Sequence, residues 1–281
     1  MNPFTAPAYL NGVFTTVGEC RIDVLDRGFL FGDGVYEVIP VYNGVMFEWP
    51  AHFARLERSL HETRIPAPCS CEEWEKILNG LISRAGDVEL SLYLQVTRGV
   101  APRDHHLTEP VTPTVFAMAT PLAPVSAETF DKGVSVVTGE DIRWHRCDIK
   151  MTSLIGNVLL KTHAVESGVY DVILLRHGRI TEGSSSNVFL VRDGVLITAV
   201  KDQWILPGIT RDVLIRIAGE KGVEVQERVV MADEIKAADE IWLSSSTKEI
   251  LPVTRVDGAP VGDGVPGSVW RDFSVALKAL T

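Results

Sequence analysis

The sequence predicts two α/β domains whose sheets are largely antiparallel or mixed. Three observations support this fold class. The 281 residues are enough for one large domain or two modest ones. Strand and helix patterns recur without regular alternation, which disfavours a doubly wound parallel sheet. Residues 120–126 contain two prolines and no charge, which is typical of a linker. We therefore expect domains at residues 1–119 and 127–281, joined by residues 120–126.

The first domain is predicted to combine short strands with two helices. Two hairpin signals, Asn11-Gly12 and Asn43-Gly44, lie between alternating segments. Alternation of apolar and polar residues predicts strands at residues 8–14, 35–42, 88–97 and 114–119. Apolar residues at helical spacing predict helices at residues 50–60 and 72–85. A polar loop at residues 99–112 is long enough to suggest a function.

The second domain is predicted to be richer in strands. His177-Gly178 and Asp193-Gly194 supply turns. The same patterns predict strands at residues 133–138, 172–175, 187–191, 223–229 and 240–243 and helices at residues 154–166, 210–220, 233–237 and from about 268. Lys150 then falls in the loop before the first of these helices.

Bulk properties exclude several functional classes. The net charge is -10 and the pI is about 5.2, so nonspecific nucleic-acid or anionic-membrane binding is not expected. Neither a signal peptide nor an apolar run of roughly 18 residues is present, so we expect a cytoplasmic protein without a membrane span. The four cysteines form no CxxC pair, which favours free thiols, and Cys147 is expected to pack rather than react.

Common catalytic and binding motifs are absent. The glycines around Gly32 do not form GxGxxG, and there is no phosphate-binding GxxxxGK[ST]. No histidine cluster has metal-ligand spacing, so no metal site is predicted. The run Gly183-Ser184-Ser185-Ser186 does not form the GxSxG nucleophile motif.

Five segments together carry a more specific signal. They are RGFLFGDGVYEV at residues 27–38, HFARL at 52–56, CDIK at 147–150, TEGSSSN at 181–187 and LPGITR at 206–211. Present in this order, they resemble the branched-chain and D-amino-acid aminotransferase family, the fold type IV pyridoxal-phosphate enzymes. The resemblance covers nearly the whole chain. It implies the two-domain fold type IV architecture, and it is greatest to the D-amino-acid aminotransferase subfamily.

The resemblance implies that Lys150 carries pyridoxal 5'-phosphate as a Schiff base. By residue type alone, an exposed lysine before a helix would be the better interpretation. Glu182 matches the carboxylate that pairs with the pyridine nitrogen, where a negative charge keeps the ring protonated. A solvated loop glutamate is the alternative, but the Gly-Ser run after Glu182 favours a tight turn that aims its side chain inward.

The remaining cofactor contacts are implied in the same way. Arg55 matches the family's phosphate ligand, although its pattern alone fits a surface arginine on an amphipathic helix. The helix beginning near Thr210 offers backbone N–H groups to a phosphate. The matching cofactor-binding positions are Leu206 against the ring and Ile209, Thr210, Ser245 and Ser246 around the phosphate.

The loop Pro102-Arg103-Asp104-His105 resembles the Pro-Arg-x-His loop of D-amino-acid aminotransferases. In that subfamily the arginine and histidine, together with a tyrosine that matches Tyr36, bind the substrate α-carboxylate. Arginine suits this role because two N–H donors engage the two oxygens. The loop serves the neighbouring subunit in that subfamily, which implies a homodimer. We expect Asp104 to point outward, since a carboxylate in the pocket would repel the substrate.

The implied reaction converts D-alanine and 2-oxoglutarate into pyruvate and D-glutamate. Within the family, a branched-chain L-aminotransferase, an (R)-selective amine transaminase and an aminodeoxychorismate lyase are alternatives that could share Lys150 and Glu182. The Arg103 and His105 loop argues against all three. A catalytically inactive protein that binds the cofactor is an alternative from another class. Intact Lys150, Glu182 and Arg55 argue against it.

Overall fold

A computed structural model describes residues 2–86, 88–107 and 109–281. The chain divides into two compact units. Unit 1 contains Met1–Ala123 and Ile149–Leu154, and unit 2 contains Pro124–Asp148 and Ile155–Thr281. The short segment with Lys150 therefore belongs to unit 1, although the residues on both sides belong to unit 2. The domain boundaries given above stay a prediction.

Unit 1 is built on one antiparallel sheet, in the spatial order β2-β1-β6-β5-β3-β4 among the described residues. Its strands are β1 (Pro7–Leu10), β2 (Val13–Thr16), β3 (Gly34–Tyr42), β4 (Val45–Met46), β5 (Leu90–Thr97) and β6 (Thr114–Pro121). Asn11 and Asn43 adopt positive φ in the β1–β2 and β3–β4 turns, as the hairpin signals predict. β6 extends to Pro121, so the first two residues of the predicted linker are part of a strand.

Three helices accompany this sheet, namely α1 (Arg27–Phe31), α2 (Trp49–Thr63) and α3 (Cys71–Ala85). Ser70 and Glu73 begin α3 with a capping box, in which each side chain accepts a hydrogen bond from the other's backbone N–H. One apolar core joins both long helices to the sheet and includes Leu56, Trp74 and Leu92. The short helix α1 was not predicted from the sequence, because five residues span little more than one turn and show no helical periodicity.

Unit 2 contains a mixed sheet, which has ten strands within the described part of the chain. The strands are β7 (Val134–Glu140), β8 (Asp171–Arg176), β9 (Arg179–Gly183), β10 (Asn187–Arg192), β11 (Val195–Ala199), β12 (Val225–Arg228), β13 (Val230–Met231), β14 (Glu240–Ser245), β15 (Glu249–Val256) and β16 (Ala259–Pro260). β7 pairs in parallel with β8 and β15, and β11 pairs in parallel with β12. The other pairs are antiparallel, so the predicted α/β class with mixed sheets is confirmed.

The helices of unit 2 are α4 (Ala127–Lys132), α5 (Ile155–Glu166), α6 (Ile209–Lys221) and α7 (Ser268–Lys278). A short 3₁₀ helix covers Ala232–Ala237. The predicted helices at residues 154–166, 210–220, 233–237 and from 268 are thus present within a residue or two. Among the described residues, none of the helices combines the length and apolar character needed to cross a membrane.

The sequence analysis assigns no strand to residues 249–256, where β15 lies between β14 and β7. This strand contains Pro252, although proline argues against a central strand. Pro252 lies opposite Trp242 on β14, but pairing with β7 starts only at Val253. The proline therefore removes no ladder bond on the β7 side, and the strand tolerates it.

Candidate active site

Lys150 lies in unit 1, beside the strand that carries Tyr36. The Tyr36 N–H donates to the Lys150 carbonyl oxygen at 3.0 Å. The Lys150 Nζ lies 4.3 Å from the centroid of the Tyr36 ring. Both residues are partly buried, and Ile149, just before the lysine, belongs to the apolar core. The structure therefore brings together two residues that the sequence placed in the site from separate segments.

The Gly32-Asp33-Gly34 turn holds the segment that follows Lys150. Thr152 donates its N–H to the Gly34 carbonyl at 2.9 Å and its hydroxyl to the Gly32 carbonyl at 3.0 Å. Gly32 has a φ of +66°, and a Cβ there would lie 2.4 Å from the Ser153 hydroxyl oxygen. Glycine is required here for both its backbone conformation and its small size.

Arg55 lies on α2 and is buried, contrary to the surface position that its sequence pattern alone favoured. It donates to Glu37 through Nε at 2.7 Å and through Nη2 at 2.8 Å. His52 contacts the same carboxylate through Nδ1 at 2.8 Å. Burial pushes the pKa of Glu37 up, but the charge and hydrogen bonds of Arg55, with His52, outweigh it and hold that pKa well below its usual range.

Burial lowers the pKa of His52, and the positive charges of Arg55 and Lys150 act in the same direction and outweigh, together with burial, the opposing effect of Glu37. Its Nδ1–H donates to Glu37, since a carboxylate can only accept a hydrogen bond. The Nε2 atom is buried and has no hydrogen-bond partner within residues 2–86, 88–107 and 109–281. Arg55 is thus one member of a buried, charged cluster with Glu37 and His52.

Arg103 and His105 are exposed, and both lie against Phe31 on α1. The guanidinium carbon of Arg103 is 5.4 Å from the Phe31 centroid, and the His105 ring centroid is 5.5 Å from it. Buried Arg27 fixes the loop by donating to the carbonyl oxygens of Asp104 and His105. The Asp104 carboxylate accepts the His106 N–H at 3.1 Å and is exposed, like the side chains of Arg103 and His105, so its outward direction from the substrate stays a prediction. Thr108, in the same predicted loop, lies outside the described residues.

Glu182 lies in unit 2 at the end of β9, and its side chain is buried. Its Oε2 accepts the Leu206 N–H at 2.9 Å and the Asn187 Nδ2–H at 3.1 Å. Its Oε1 accepts a hydrogen bond from Arg143. Burial raises the pKa of Glu182, and Arg143 offsets this only in part. The inward aim predicted from the Gly-Ser run agrees with this burial.

Asn187 connects Glu182 to the start of α6. Besides Glu182, its amide nitrogen donates to the Leu206 carbonyl at 2.8 Å. A Cβ on Gly208 would lie 2.0 Å from the Asn187 side-chain oxygen, so only glycine allows this approach. Leu206 therefore lies beside Glu182 in space although 24 positions separate them in the sequence, and Ile209 and Thr210 follow Leu206 at the start of α6.

The start of α6 has the features of an anion site. Gly208 is its N-cap and supplies no side-chain hydrogen bond, and the first-turn N–H groups of a helix have no partner within the helix. Thr210 is buried in this first turn. Ser245 ends β14 and Ser246 begins the following turn, both partly buried. The preceding Ser244 hydroxyl is buried without a hydrogen-bond partner in the described part of the chain.

Sequence analysis did not assign a role to several buried polar residues around these sites. Glu37 gave a signal, because it shares a strand face with Val35 and Ile39, where a carboxylate is unexpected. Asp141 and Asn187 gave no such signal in the sequence, since each is one polar residue in a polar stretch. Cys147 is buried, and burial raises the pKa of its thiol to about 11, which agrees with packing.

The family model for class IV amino-transferases matches residues 34–256. The chain is a class IV aminotransferase. It is 41% identical over 268 residues to a D-alanine aminotransferase of Bacillus licheniformis, covering 95% of this chain and 94% of that protein. A D-alanine aminotransferase of Staphylococcus epidermidis is 39% identical over 271 residues, with 96% of both proteins covered.

Solved structures agree with this family. A crystal structure of the Escherichia coli branched-chain amino acid aminotransferase has a TM-score of 0.94 and 27% identity, and the match covers 98% of this chain and 94% of that chain. A second branched-chain amino acid aminotransferase, solved with pyridoxamine 5'-phosphate, has a TM-score of 0.92 and 28% identity, with 99% and 94% covered. The aminotransferase described here is a pyridoxal-phosphate-dependent enzyme of fold type IV.

The residues present fit that cofactor. Glu182 offers a buried carboxylate suited to a protonated ring nitrogen. The α6 N-terminus offers N–H groups suited to a phosphate, without a side-chain cap that would compete for them. Lys150 offers a primary amine beside an aromatic ring. Within residues 2–86, 88–107 and 109–281, no cluster of three or more His, Cys, Asp or Glu side chains could hold a metal.

Proposed function

We propose that this enzyme transaminates D-amino acids, converting D-alanine and 2-oxoglutarate into pyruvate and D-glutamate. The observation that carries the proposal is the 38–41% identity to D-alanine aminotransferases over nearly the whole chain. The loop around Arg103 and His105 supports it, because it presents two nitrogen-bearing side chains at the surface of unit 1.

Pyridoxal phosphate, when bound, supplies a ring that accepts the electrons released at the substrate α-carbon. We propose that Lys150 carries the cofactor through its amine and that Glu182 pairs with the ring nitrogen. Leu206 would pack against the ring. The phosphate would be held by Arg55, by the start of α6 at Ile209 and Thr210, and by Ser245 and Ser246.

Lys150 is also the group proposed to move the proton in the reaction. When it is not bonded to the cofactor, its Nζ would be the base that accepts the substrate α-proton and the acid that later returns a proton. Tyr36 lies against that Nζ and restricts where it can swing. A positioned amine is effective because the reacting atoms stay within a few ångströms of each other.

Arg103, His105 and Tyr36 are proposed to bind the substrate α-carboxylate. The contacts of Arg103 and His105 are with Phe31 rather than with Lys150 or Tyr36, as far as the described residues extend. This placement supports a role in the active site of a second subunit. The proposed homodimer is further supported by exposed apolar residues in and before α1, namely Ile22, Val24, Leu25 and Phe29. A cytoplasmic location remains a prediction.

The substrate proposal is tested with both enantiomers of alanine and leucine as amine donors and 2-oxoglutarate as acceptor. We expect D-alanine to give the highest kcat/KM. Preference for L-leucine would instead indicate a branched-chain aminotransferase, the alternative favoured by the structural similarity to those enzymes. Borohydride reduction followed by peptide mass mapping should place the pyridoxyl group on Lys150, and labelling of another lysine would refute that assignment.

Mixed dimers test the cross-subunit role. A Lys150→Ala subunit combined with an Arg103→Ala subunit should form one good site, because each supplies what the other lacks. Each parent dimer should be poor with D-alanine. Hybrids as poor as both parents would mean that the loop serves its own subunit.

A further inference from the structure

Four buried charged side chains form a network in unit 2, in which Glu182 is one end. The order is Glu182, Arg143, Asp141 and Arg176. All four are nearly inaccessible to solvent. Two carboxylates face two guanidinium groups, so the network is neutral when all four are ionised. A buried ionic network of this kind needs nearly complete hydrogen bonding to be tolerated.

Asp141 determines how Arg143 is oriented. It accepts hydrogen bonds from Arg143 Nε and Nη2, both at 2.9 Å, which fixes the plane of the guanidinium group. Nη1 is then the nitrogen that donates to Glu182 Oε1. Arg143 therefore reaches Glu182 through one corner of its guanidinium group, while its two-pronged contact is with Asp141.

Asp141 is itself held from several directions. Its own backbone N–H donates to the Leu175 carbonyl at 2.9 Å, and Thr181 donates its hydroxyl to Oδ2 at 3.0 Å. Arg176 contacts Oδ1 at 3.1 Å and donates to the Arg143 carbonyl at 2.9 Å. Burial pushes the pKa of Asp141 up, but hydrogen bonds from Arg143 and Arg176 outweigh it and bring the pKa to about 2. Asp141 is therefore a permanent anion at physiological pH.

We propose that Asp141 is a positioning residue for the ring nitrogen of the cofactor. It holds Arg143 in a two-pronged contact, so that Arg143 donates only one hydrogen bond to Glu182. Glu182 then stays available to a protonated pyridine. This inference rests on the proposed pairing of Glu182 with the ring nitrogen. Without Asp141, Arg143 can rotate into a two-pronged pair with Glu182, and the network is left with two guanidinium groups and one carboxylate.

The test compares two ligands of the cofactor-free protein. One is pyridoxamine 5'-phosphate, and the other is its analogue in which the ring nitrogen is replaced by C–H. Neither needs a covalent bond to Lys150. The ratio of their Kd values isolates the contribution of the ring nitrogen, because ring stacking and phosphate contacts are common to both ligands. A variant with only a general structural defect would weaken both alike.

The wild-type protein should prefer the nitrogen-containing ligand about ten- to hundred-fold, the usual range for a hydrogen bond to a charged group. Glu182→Gln should abolish most of this preference. Asp141→Asn should reduce it by at least about three-fold, while the Kd of the C–H analogue stays within about two-fold of wild type. An Asp141→Asn protein with the full wild-type preference would overturn this inference about Asp141 but not the proposed role of Glu182.

A missing preference in the wild type would instead overturn the proposed role of Glu182. Glu240→Gln is the matched control. Glu240 is also a buried carboxylate of unit 2, but it accepts hydrogen bonds from Trp242, Val269 and Trp270, outside the network. This variant should keep the wild-type preference. If Asp141→Asn does not fold, Thr181→Val removes one hydrogen bond to Asp141 and should reduce the preference in the same direction, and an unchanged ratio would count against the inference.

Discussion

Glu37 in unit 1 and Glu182 in unit 2 are both buried carboxylates next to an arginine, yet their pKa values shift in opposite directions. Arg55 engages Glu37 with two nitrogens, and His52 adds a third contact. Arg143 engages Glu182 with one nitrogen and gives its two-pronged contact to Asp141. The pKa of Glu37 is lowered and that of Glu182 is raised.

The difference shows that a neighbouring arginine does not by itself determine the charge of a buried carboxylate. The pKa of the carboxylate depends on how many hydrogen bonds the arginine donates to it, and on whether these outweigh the penalty of burying the charge. Glu37 has its charge fully satisfied within the protein. Glu182 also accepts three hydrogen bonds, but only the one from Arg143 comes from a charged group, so its negative charge is less fully balanced and suits a cationic ligand such as a protonated ring nitrogen.

The largest expected effect comes from removing the satisfied carboxylate. Glu37→Ala leaves Arg55 buried without its main anion and should lower the free energy of unfolding of the cofactor-free protein by about 3–5 kcal/mol, measured by urea denaturation. The double variant Glu37→Leu with Arg55→Met removes both charges and should recover most of this loss. A loss below about 1 kcal/mol in Glu37→Ala would contradict the comparison.

Glu182→Gln should have the reverse pattern, with a large effect on catalysis and a small one on stability. We expect kcat to fall about 10²- to 10³-fold, the range seen when one preorganised electrostatic contact is lost. The free energy of unfolding of the cofactor-free protein should change by no more than about 1 kcal/mol, because burial already favours the neutral carboxyl. Unchanged turnover would refute the role of Glu182.

Arg103 extends the comparison to an arginine whose carboxylate is proposed to come from the substrate. Arg103→Ala should weaken the use of D-alanine by about ten- to hundred-fold in kcat/KM, since a charge-assisted contact is lost. An amine donor without a carboxylate serves as the control and should be affected far less. Equal losses with both donors would show that Arg103 does not bind the carboxylate. Stability should hardly change, because the side chain is exposed.

The smallest expected effect is in the pH dependence of stability of the cofactor-free protein. The lowered pKa values of Glu37 and Asp141 stabilise the fold above their unfolded-state values, near pH 4, and this contribution is lost as pH falls below them. The raised pKa of Glu182 acts oppositely, stabilising at low pH and losing that contribution as pH rises through the folded-state pKa. Urea unfolding at a series of pH values should show a shallower acid-side loss in Glu37→Gln. Glu182→Gln should remove the decline with rising pH, and parallel curves for all three proteins would contradict these assignments.

Much of the fold could be predicted from local sequence. The hairpins at Asn11 and Asn43, helices α2, α3, α5, α6 and α7, and the mixed α/β class all follow from turn residues and periodicity. These signals are short-range, so they need no knowledge of the partner strand. β15 could not be predicted, because whether Pro252 breaks a ladder depends on where pairing with β7 begins.

The sequence by itself determined the family and the candidate residues Lys150 and Glu182. Both lie in segments that occur in the same order as in the family, and each residue type indicates its chemistry. Only the tertiary structure decided which charges they meet. Asp141 reaches Arg176 because β7 and β8 pair in parallel, with Glu140 opposite Leu175. Charged side chains 35 positions apart leave no periodic signal, and their pairing exists only once the strand register is fixed. The sequence could name Glu182, but the packing of β7, β8 and β9 decided that a single corner of Arg143 contacts it.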